Sequence, residues 1–262
     1  MKILLTNDDG IHAPGLRALY AALSGLGEIT VVAPATVQSA TSHGVTFHTP
    51  LMEETVTMED GRLGYAIEGR PADCVKIAFA SIWPSLYGEG AKPDLTISGM
   101  NSGANIGVNI VYSGTVGAAR ESAFRGSPAL AVSLQMGGSK PEQWQHAAKI
   151  ARHGIDQILE HPLDPHAVIN LNLPQVHTTE DPVPPLKVVS MNTAEGLCAY
   201  DRRTSPDGRV YYWASGDGMA FAHTGADTDL EALSEGFMTV TPLEFDLTDH
   251  ARMQTWRERL ST

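Results

Sequence analysis

"LLTNDDGIHAPG", residues 4–15, joins an apolar run to Asn7, Asp8 and Asp9, and then to Gly10, Pro14 and Gly15. So short an apolar run, ended abruptly by polar residues, reads as a buried β-strand that turns sharply into a helix. The next segments agree. "GLRALYAALSGLG" (15–27) carries Leu16, Leu19, Tyr20 and Leu23 at helical spacing, and Gly25 and Gly27 stop it. "ITVVAP" (29–34) is a second buried strand. Strand, turn, helix, strand is the opening unit of a parallel α/β sheet. Its first turn lies at the carboxyl edge of the strands, where ligands of such folds bind. Two adjacent carboxylates repel one another there and require a counter-charge.

Working outward, the same alternation continues. "PADCVKIAFASIW" (71–83) reads as a helix, "PDLTISG" (93–99) as a strand and "TVGAARESAFRG" (115–126) as a helix. "ALAVSL" (129–134) is a strand, "PEQWQHAAKIARHGIDQILEH" (141–161) a long helix and "AVINLNLP" (167–174) a strand. Continuous apolar strands between helices indicate a mostly parallel sheet covered on both faces. The expected fold is a three-layer, Rossmann-like α/β core over 1–175. "EETVTMEDGRLGYAIEG" (53–69) interrupts it with a β-hairpin turning at Asp60-Gly61.

From 176 to 262 a C-terminal extension is expected. "TTEDPVPPLK" (178–187) reads as a connector, and 200–215 as a second hairpin turning at Pro206-Asp207-Gly208. A short helix (228–236), a strand (237–243) and a final amphipathic helix (249–260) complete it. Such segments either cover their own core or reach a neighbouring subunit.

The formal charge of −12 gives no general attraction to nucleic-acid polymers or anionic membranes. A phosphate ligand then needs a local source of positive charge, and a metal ion is the simplest. The two cysteines, Cys74 and Cys198, form no disulfide framework and read as buried hydrophobes in a reducing, cytoplasmic setting. The opening residues carry no basic region followed by an apolar one, so no secretory signal is expected. No apolar stretch is long enough to span a membrane.

Several polar residues fall at the expected strand ends. Asp8 and Asp9 follow the first strand. Gln38, Ser39, Thr41, Ser42 and His43 follow the second, and Asn101, Ser102 and Asn105 follow the third. Ser113-Gly114-Thr115 opens a helix, where exposed N–H groups at the positive dipole end suit an anion. Carboxylate, amide and hydroxyl oxygens together suit a hard cation such as Mg²⁺, Mn²⁺ or Ca²⁺, and no Cys/His spacing suggests zinc. The plainer alternatives are that Asp8 and Asp9 cap the following helix and that Ser113 or Thr115 is an ordinary N-cap. The glycines at 99, 103 and 107 do not match the dinucleotide spacing. His43 with His48 reads as structural, and Arg70 as a solvated residue before a helix.

These stretches together resemble SurE, the stationary-phase survival protein family of metal-dependent 5′-nucleotidases. The matching pieces are "ILLTNDDGIHAPG" (3–15), "VVAPATVQSATSHGVT" (31–46), "ISGMNSGANIGVNIVYSGTVGAARE" (97–121), "PALAVSL" (128–134) and "DTDLEALSEGFMTVTPL" (227–243). The resemblance implies one divalent ion per subunit, Mg²⁺ or Mn²⁺ with Ca²⁺ as a substitute in crystals. Its ligands would be Asp8, Asp9, Ser39 and Asn101. It implies Asn105, Ser113, Gly114 and Thr115 at the phosphate, and hydrolysis of nucleoside 5′-monophosphates. Activity on 3′-monophosphates and short polyphosphate is a further implication, as is a homodimer or homotetramer built through the C-terminal segments. Asp8 or Asp9 would orient the attacking water or act as a nucleophile. The rival classes are a nucleotide transferase and a non-catalytic binding protein whose metal is structural.

Overall fold

The computed structural model describes residues 1–135, 141–194, 199–215, 222–225 and 227–261, so Cys198 lies outside the described residues. Its centre is a nine-stranded sheet. The strands in chain order are β1 (Lys2–Thr6), β2 (Glu28–Pro34), β3 (Glu53–Thr57), β4 (Leu63–Ile67), β5 (Leu95–Ser102), β6 (Ala129–Leu134), β7 (Val168–Leu173), β8 (Leu186–Val188) and β11 (Met238–Leu243). β9 (Ala199–Thr204) and β10 (Val210–Ser215) pair only with each other. The sheet order is β3-β4-β2-β1-β5-β6-β7-β11-β8. β4, β2, β1, β5, β6 and β7 run parallel. β3 and β11 are antiparallel to their inner neighbours, and β8 lies parallel to β11.

The chain leaves β1 toward β2 and β4, then returns to the other side of β1 as β5 and runs out through β6 and β7. The reversal falls between β1 and β5, and that is where a doubly wound sheet opens a crevice. The Rossmann-like expectation holds. One face of the sheet is covered by α1 (Pro14–Ala22) and α6 (Pro141–Leu159), whose Leu16, Leu19, Trp144, Ala148 and Ile155 pack on Leu5, Ile97 and Val132. The other face is covered by α2 (Pro71–Ile77) and α5 (Gly114–Phe124), whose Val75 and Ala118 pack on Leu4 and Val32. Alternate residues of the same strands therefore feed two cores. Among the described residues no helix is long and apolar enough to cross a membrane.

Four local readings change. The helix expected over 71–83 is α2, then a π-helical segment (Ala78–Ile82), then α3 (Trp83–Tyr87). Pro84 has no N–H to give the preceding turn, and the wider π turn accommodates its ring. β5 continues to Ser102, beyond its expected end at 99, because β6 stays paired with it through a bulge between Gly99 and Asn101. Asn109–Tyr112, expected as loop, forms one turn of helix, α4. The connector over 178–187 ends in β8, which β11 captures in register from Leu186 to Val188. The hairpins at 53–69 and 200–215 form as expected, with Gly61 (φ +83°) and Gly208 (φ +84°) in their turns. α7 (Asp229–Ser234) and α8 (His250–Leu260) match the two expected C-terminal helices, but α8 buries no residue on this chain.

Gly15, at the end of the opening stretch, is where α1 meets β5. A Cβ there would lie 2.1 Å from the Met100 carbonyl oxygen and 2.9 Å from the Trp144 ring. Gly15→Ala should therefore separate α1 from the sheet and cost about 3 kcal/mol in urea unfolding. Unchanged stability would show that α1 shifts freely.

Candidate active site

Asn7, not the carboxylates, builds the turn after β1. Its Nδ2 donates to the Gly10 carbonyl at 2.9 Å, and its Oδ1 accepts from the Gly10 N–H at 3.2 Å. Gly10 (φ +98°) occupies the left-handed region that this turn requires. The N-cap of α1 is Ala13, with no side-chain cap. Asp8 and Asp9 thus cap nothing, and both line one open cavity of about 290 Å³. Ser39, Asn101, Asn105 and Ser113 line the same cavity. Three strand ends and the start of α5 bring these six side chains together.

Each carboxylate accepts a hydrogen bond from a neighbouring element. Asp8, 6% exposed, accepts from the Thr115 hydroxyl through Oδ1 at 2.6 Å. Asp9 accepts from the Ser102 N–H through Oδ2 at 2.9 Å. Burial pushes the Asp8 carboxyl up to about 6; the Thr115 hydroxyl opposes the rise and the charge of Asp9 adds to it. Burial also raises Asp9, against the Ser102 N–H. No ion pair among the described residues includes either of them. One buried and one half-buried carboxylate thus stand side by side with hydrogen bonds but no cationic side chain.

The neighbouring loops are tied to this pair. The Gln38 N–H donates to the Asp8 carbonyl at 2.7 Å, which anchors the loop carrying Ser39. In that loop Ala40 (φ +55°) and Ser42 (φ +54°) adopt left-handed backbone that side chains disfavour. Asn101 Nδ2 donates to the Gly103 carbonyl at 2.7 Å, which fixes the orientation of its side-chain amide. Ser113 is the N-cap of α5, its Oγ accepting from the Val116 N–H at 3.1 Å. A Cβ on Gly114 would lie 2.9 Å from Asp8 Cβ and 3.0 Å from its Oδ2, so α5 starts directly against Asp8. That approach explains why the Thr115 hydroxyl is spent on Asp8. His43 stands apart, 3.0 Å from Glu121 Oε2. Burial works against the Glu121 charge, but His43 and Arg125 outweigh it and hold the carboxyl below its usual range.

Paired acidic oxygens, an amide oxygen and a hydroxyl at the β1–β5 switch point now stand in one cavity beside a helix start. The family model described as survival protein SurE matches residues 3–195. The chain belongs to the SurE family. The 5′-nucleotidase SurE of Rhodopirellula baltica is 42% identical, over 99% of this chain and 100% of its own length. That of Carboxydothermus hydrogenoformans is 38% identical, over 99% and 97%. The crystal structure of the SurE protein from Aquifex aeolicus superposes with a TM-score of 0.81 at 31% identity, covering 99% of both chains.

This SurE site also uses residues that sequence reasoning missed. Asn105 is clamped from three sides: its N–H donates to Asn172 Oδ1 at 2.8 Å, its Nδ2 to Ser133 Oγ at 2.8 Å, and its carbonyl accepts from Asn170 Nδ2 at 2.8 Å. The signal was present in "VINLNLP", where two asparagines alternate inside a strand that otherwise reads as fully buried. Asp229, fully buried at the start of α7, accepts from the Gly107 N–H at 2.9 Å and the Asn192 N–H at 2.8 Å. It looked like an ordinary acidic residue of a first helical turn, and only the tertiary contact reveals its hold on the 103–108 loop.

The folded SurE chain holds the Asp8 proton more tightly than the unfolded chain does, so this group's contribution to stability falls as pH rises from about 4 through about 6. In chelator, Asp8→Asn should keep the Thr115 bond and remove the buried charge. It should gain up to about 3 kcal/mol over the parent at pH 7, and the gain should vanish near pH 4. Urea unfolding across that range measures it. A loss at pH 7 would mean that the charge is already compensated.

Proposed function

We propose that this chain is a divalent-metal-dependent phosphomonoesterase that hydrolyses nucleoside 5′-monophosphates to nucleoside and phosphate. The observation that carries the reading is the uncompensated pair, Asp8 and Asp9, sharing a cavity with Ser39 and Asn101. All four offer hard oxygen donors. Among the described residues no cluster of three His, Cys, Asp or Glu side chains is arranged for a metal, so the amide and hydroxyl oxygens are needed to complete a hard-cation site. The donor set fits Mg²⁺ or Mn²⁺. The names of the relatives, 5′-nucleotidase SurE, support the substrate class.

A divalent ion at these four residues supplies positive charge for the phosphoryl oxygens and polarises a water. The rest is the work of the chain. Thr115 and the Ser102 N–H hold the two carboxylates at the cavity wall, where they would meet the ion. Asn105 and Ser113, with the backbone around Gly114 at the positive end of α5, receive the remaining phosphate oxygens. Asp9, less buried than Asp8, orients the attacking water. Thr115 acts through Asp8 rather than on the phosphate.

The test is phosphate release from AMP or GMP with Mn²⁺ or Mg²⁺, repeated in EDTA. Release should stop in EDTA and return with excess metal. Asp8→Asn and Asp9→Asn should each lose roughly 100-fold or more, since even supporting residues of metal sites cost 10–100-fold. Transfer to an acceptor without free phosphate would favour a transferase. No release with any divalent ion would favour a binding protein. The same panel, extended to 3′-monophosphates and short polyphosphate, defines the range.

We also propose that the chain works as a homodimer or homotetramer. Among the described residues the β9–β10 hairpin meets no other strand, and Tyr212 and Trp213, on opposite faces, are 63% and 64% exposed. A lone hairpin with both faces wet is marginal in water, and a second subunit is the natural cover. α8 likewise leaves Trp256 and Leu260 exposed. Light scattering should give a dimer or tetramer, and Tyr212→Ser with Trp213→Ser should shift it toward monomer. An unchanged assembly would remove the hairpin from the interface.

A further inference from the structure

The oxygen cluster occupies only part of the cavity. Its remaining walls are Ala40, Ser102, Gly103, Ala104, Asn109 and Tyr112. Tyr112 is the one aromatic side chain among the described lining residues, and it is 52% exposed. We propose that the Tyr112 ring is the platform on which the nucleobase stacks. The inference rests on the nucleotidase reading and says how that site would distinguish a nucleotide from other phosphomonoesters.

Three observations support it. First, Tyr112 ends α4 and directly precedes Ser113, the N-cap of α5. The ring and the phosphate end of the cavity are therefore neighbours in the chain, as phosphate and base are neighbours across one ribose. Second, the backbone of Tyr112 is fixed while its side chain is half exposed. The Ser42 N–H donates to the Tyr112 carbonyl at 2.9 Å, and the Ser42 hydroxyl to the Val111 carbonyl at 2.7 Å. Ser42 reaches both from a left-handed conformation (φ +54°), so a disfavoured backbone state is retained where it braces this turn. Third, Ala40, Gly103 and Ala104 are small, which leaves the adjoining wall free of bulk beside the ring. A face of this kind accepts any base, because every base presents a π surface. The chemistry selected is a planar aromatic group carried next to a phosphomonoester, purine or pyrimidine alike.

The experiment compares AMP with ribose 5-phosphate, which keeps the sugar and phosphate and lacks the base. Stacking of one base corresponds to roughly a 10-fold to 100-fold effect. Tyr112→Ala should lower the ratio of kcat/KM for AMP over ribose 5-phosphate by that factor, chiefly through the KM for AMP. Tyr112→Phe should retain the ratio, since it keeps the ring. A fall equal for both substrates would overturn the proposal and assign Tyr112 to the loop's structure, and an unchanged ratio would overturn it too. A second arm depends on neither turnover nor the phosphate: calorimetric binding of adenosine, which keeps the base and lacks the phosphate, in chelator. Binding about 10-fold or more weaker in Tyr112→Ala and retained in Tyr112→Phe supports the platform. Equal binding in both variants and the parent, or no binding by the parent, overturns it. If the parent hydrolyses no phosphomonoester with any divalent ion, the nucleotidase reading fails and this arm alone decides the role of Tyr112.

Discussion

The carboxyl edge of the sheet is arranged around two adjacent carboxylates, Asp8 and Asp9, and the burial of the first. Adjacent carboxylates in bulk water would cost little. Here one of them is almost wholly buried, and burial is the larger influence on its proton affinity. The chain answers with dipoles instead of a cation. A hydroxyl from α5 holds Asp8, a backbone N–H from β5 holds Asp9, and the positive end of α5 lies against Asp8. These groups soften the repulsion without cancelling it. The residual negative potential is what the proposed divalent ion would neutralise.

That arrangement explains why so much of the chain converges on one loop. Residues 103–108 leave β5, pass the cavity and return as α4. Left alone, a loop with glycines at 103 and 107 would sample many conformations. Asn170, Asn172 and Ser133 fasten it from below at Asn105, and Asp229 fastens it from the C-terminal extension at Gly107. The extension is thus part of the site's support, since β11 and β8 continue the main sheet and α7 reaches back to the cavity rim. Buried polar contacts of this sort stabilise little on balance, but leaving one unmade is expensive, and that asymmetry makes them good at selecting one loop conformation.

The fold was legible in "LLTNDDGIHAPG" and its neighbours because each element carried a local signal. The strands were short apolar runs, the first helix had clear spacing, and Asp60-Gly61 and Pro206-Asp207-Gly208 marked their hairpins. The gathering of Asp8, Asp9, Ser39, Asn101, Asn105 and Ser113 followed from topology, because parallel strands must end on one edge. What stayed illegible was tertiary. Nothing local about Thr115 tells whether its hydroxyl faces a phosphate or Asp8; that depends on how closely Gly114 lets α5 approach. Nothing local about Asp229 separates an N-terminal helix charge from a clamp on a loop 122 residues earlier. The π turn before Pro84 and the bulge in β5 are compromises between neighbours, and single-sequence patterns do not register compromises.

The placement of Asp8 also bears on why a cavity so near the core stays open. A buried carboxylate with a raised proton affinity makes the empty site less stable near neutral pH than an apolar filling would. Such a site persists when occupation by a ligand returns more than burial takes away, and the proposed divalent ion would do so, because it would bind the folded arrangement and not the open chain. Stability and function would then be coupled through one group. The feature that weakens the fold, a buried charge without a cationic partner, would be the same feature that creates affinity for the ion. Replacing it by a neutral isostere would improve the empty fold and remove the reason for the cavity, a trade in the direction expected of functional sites.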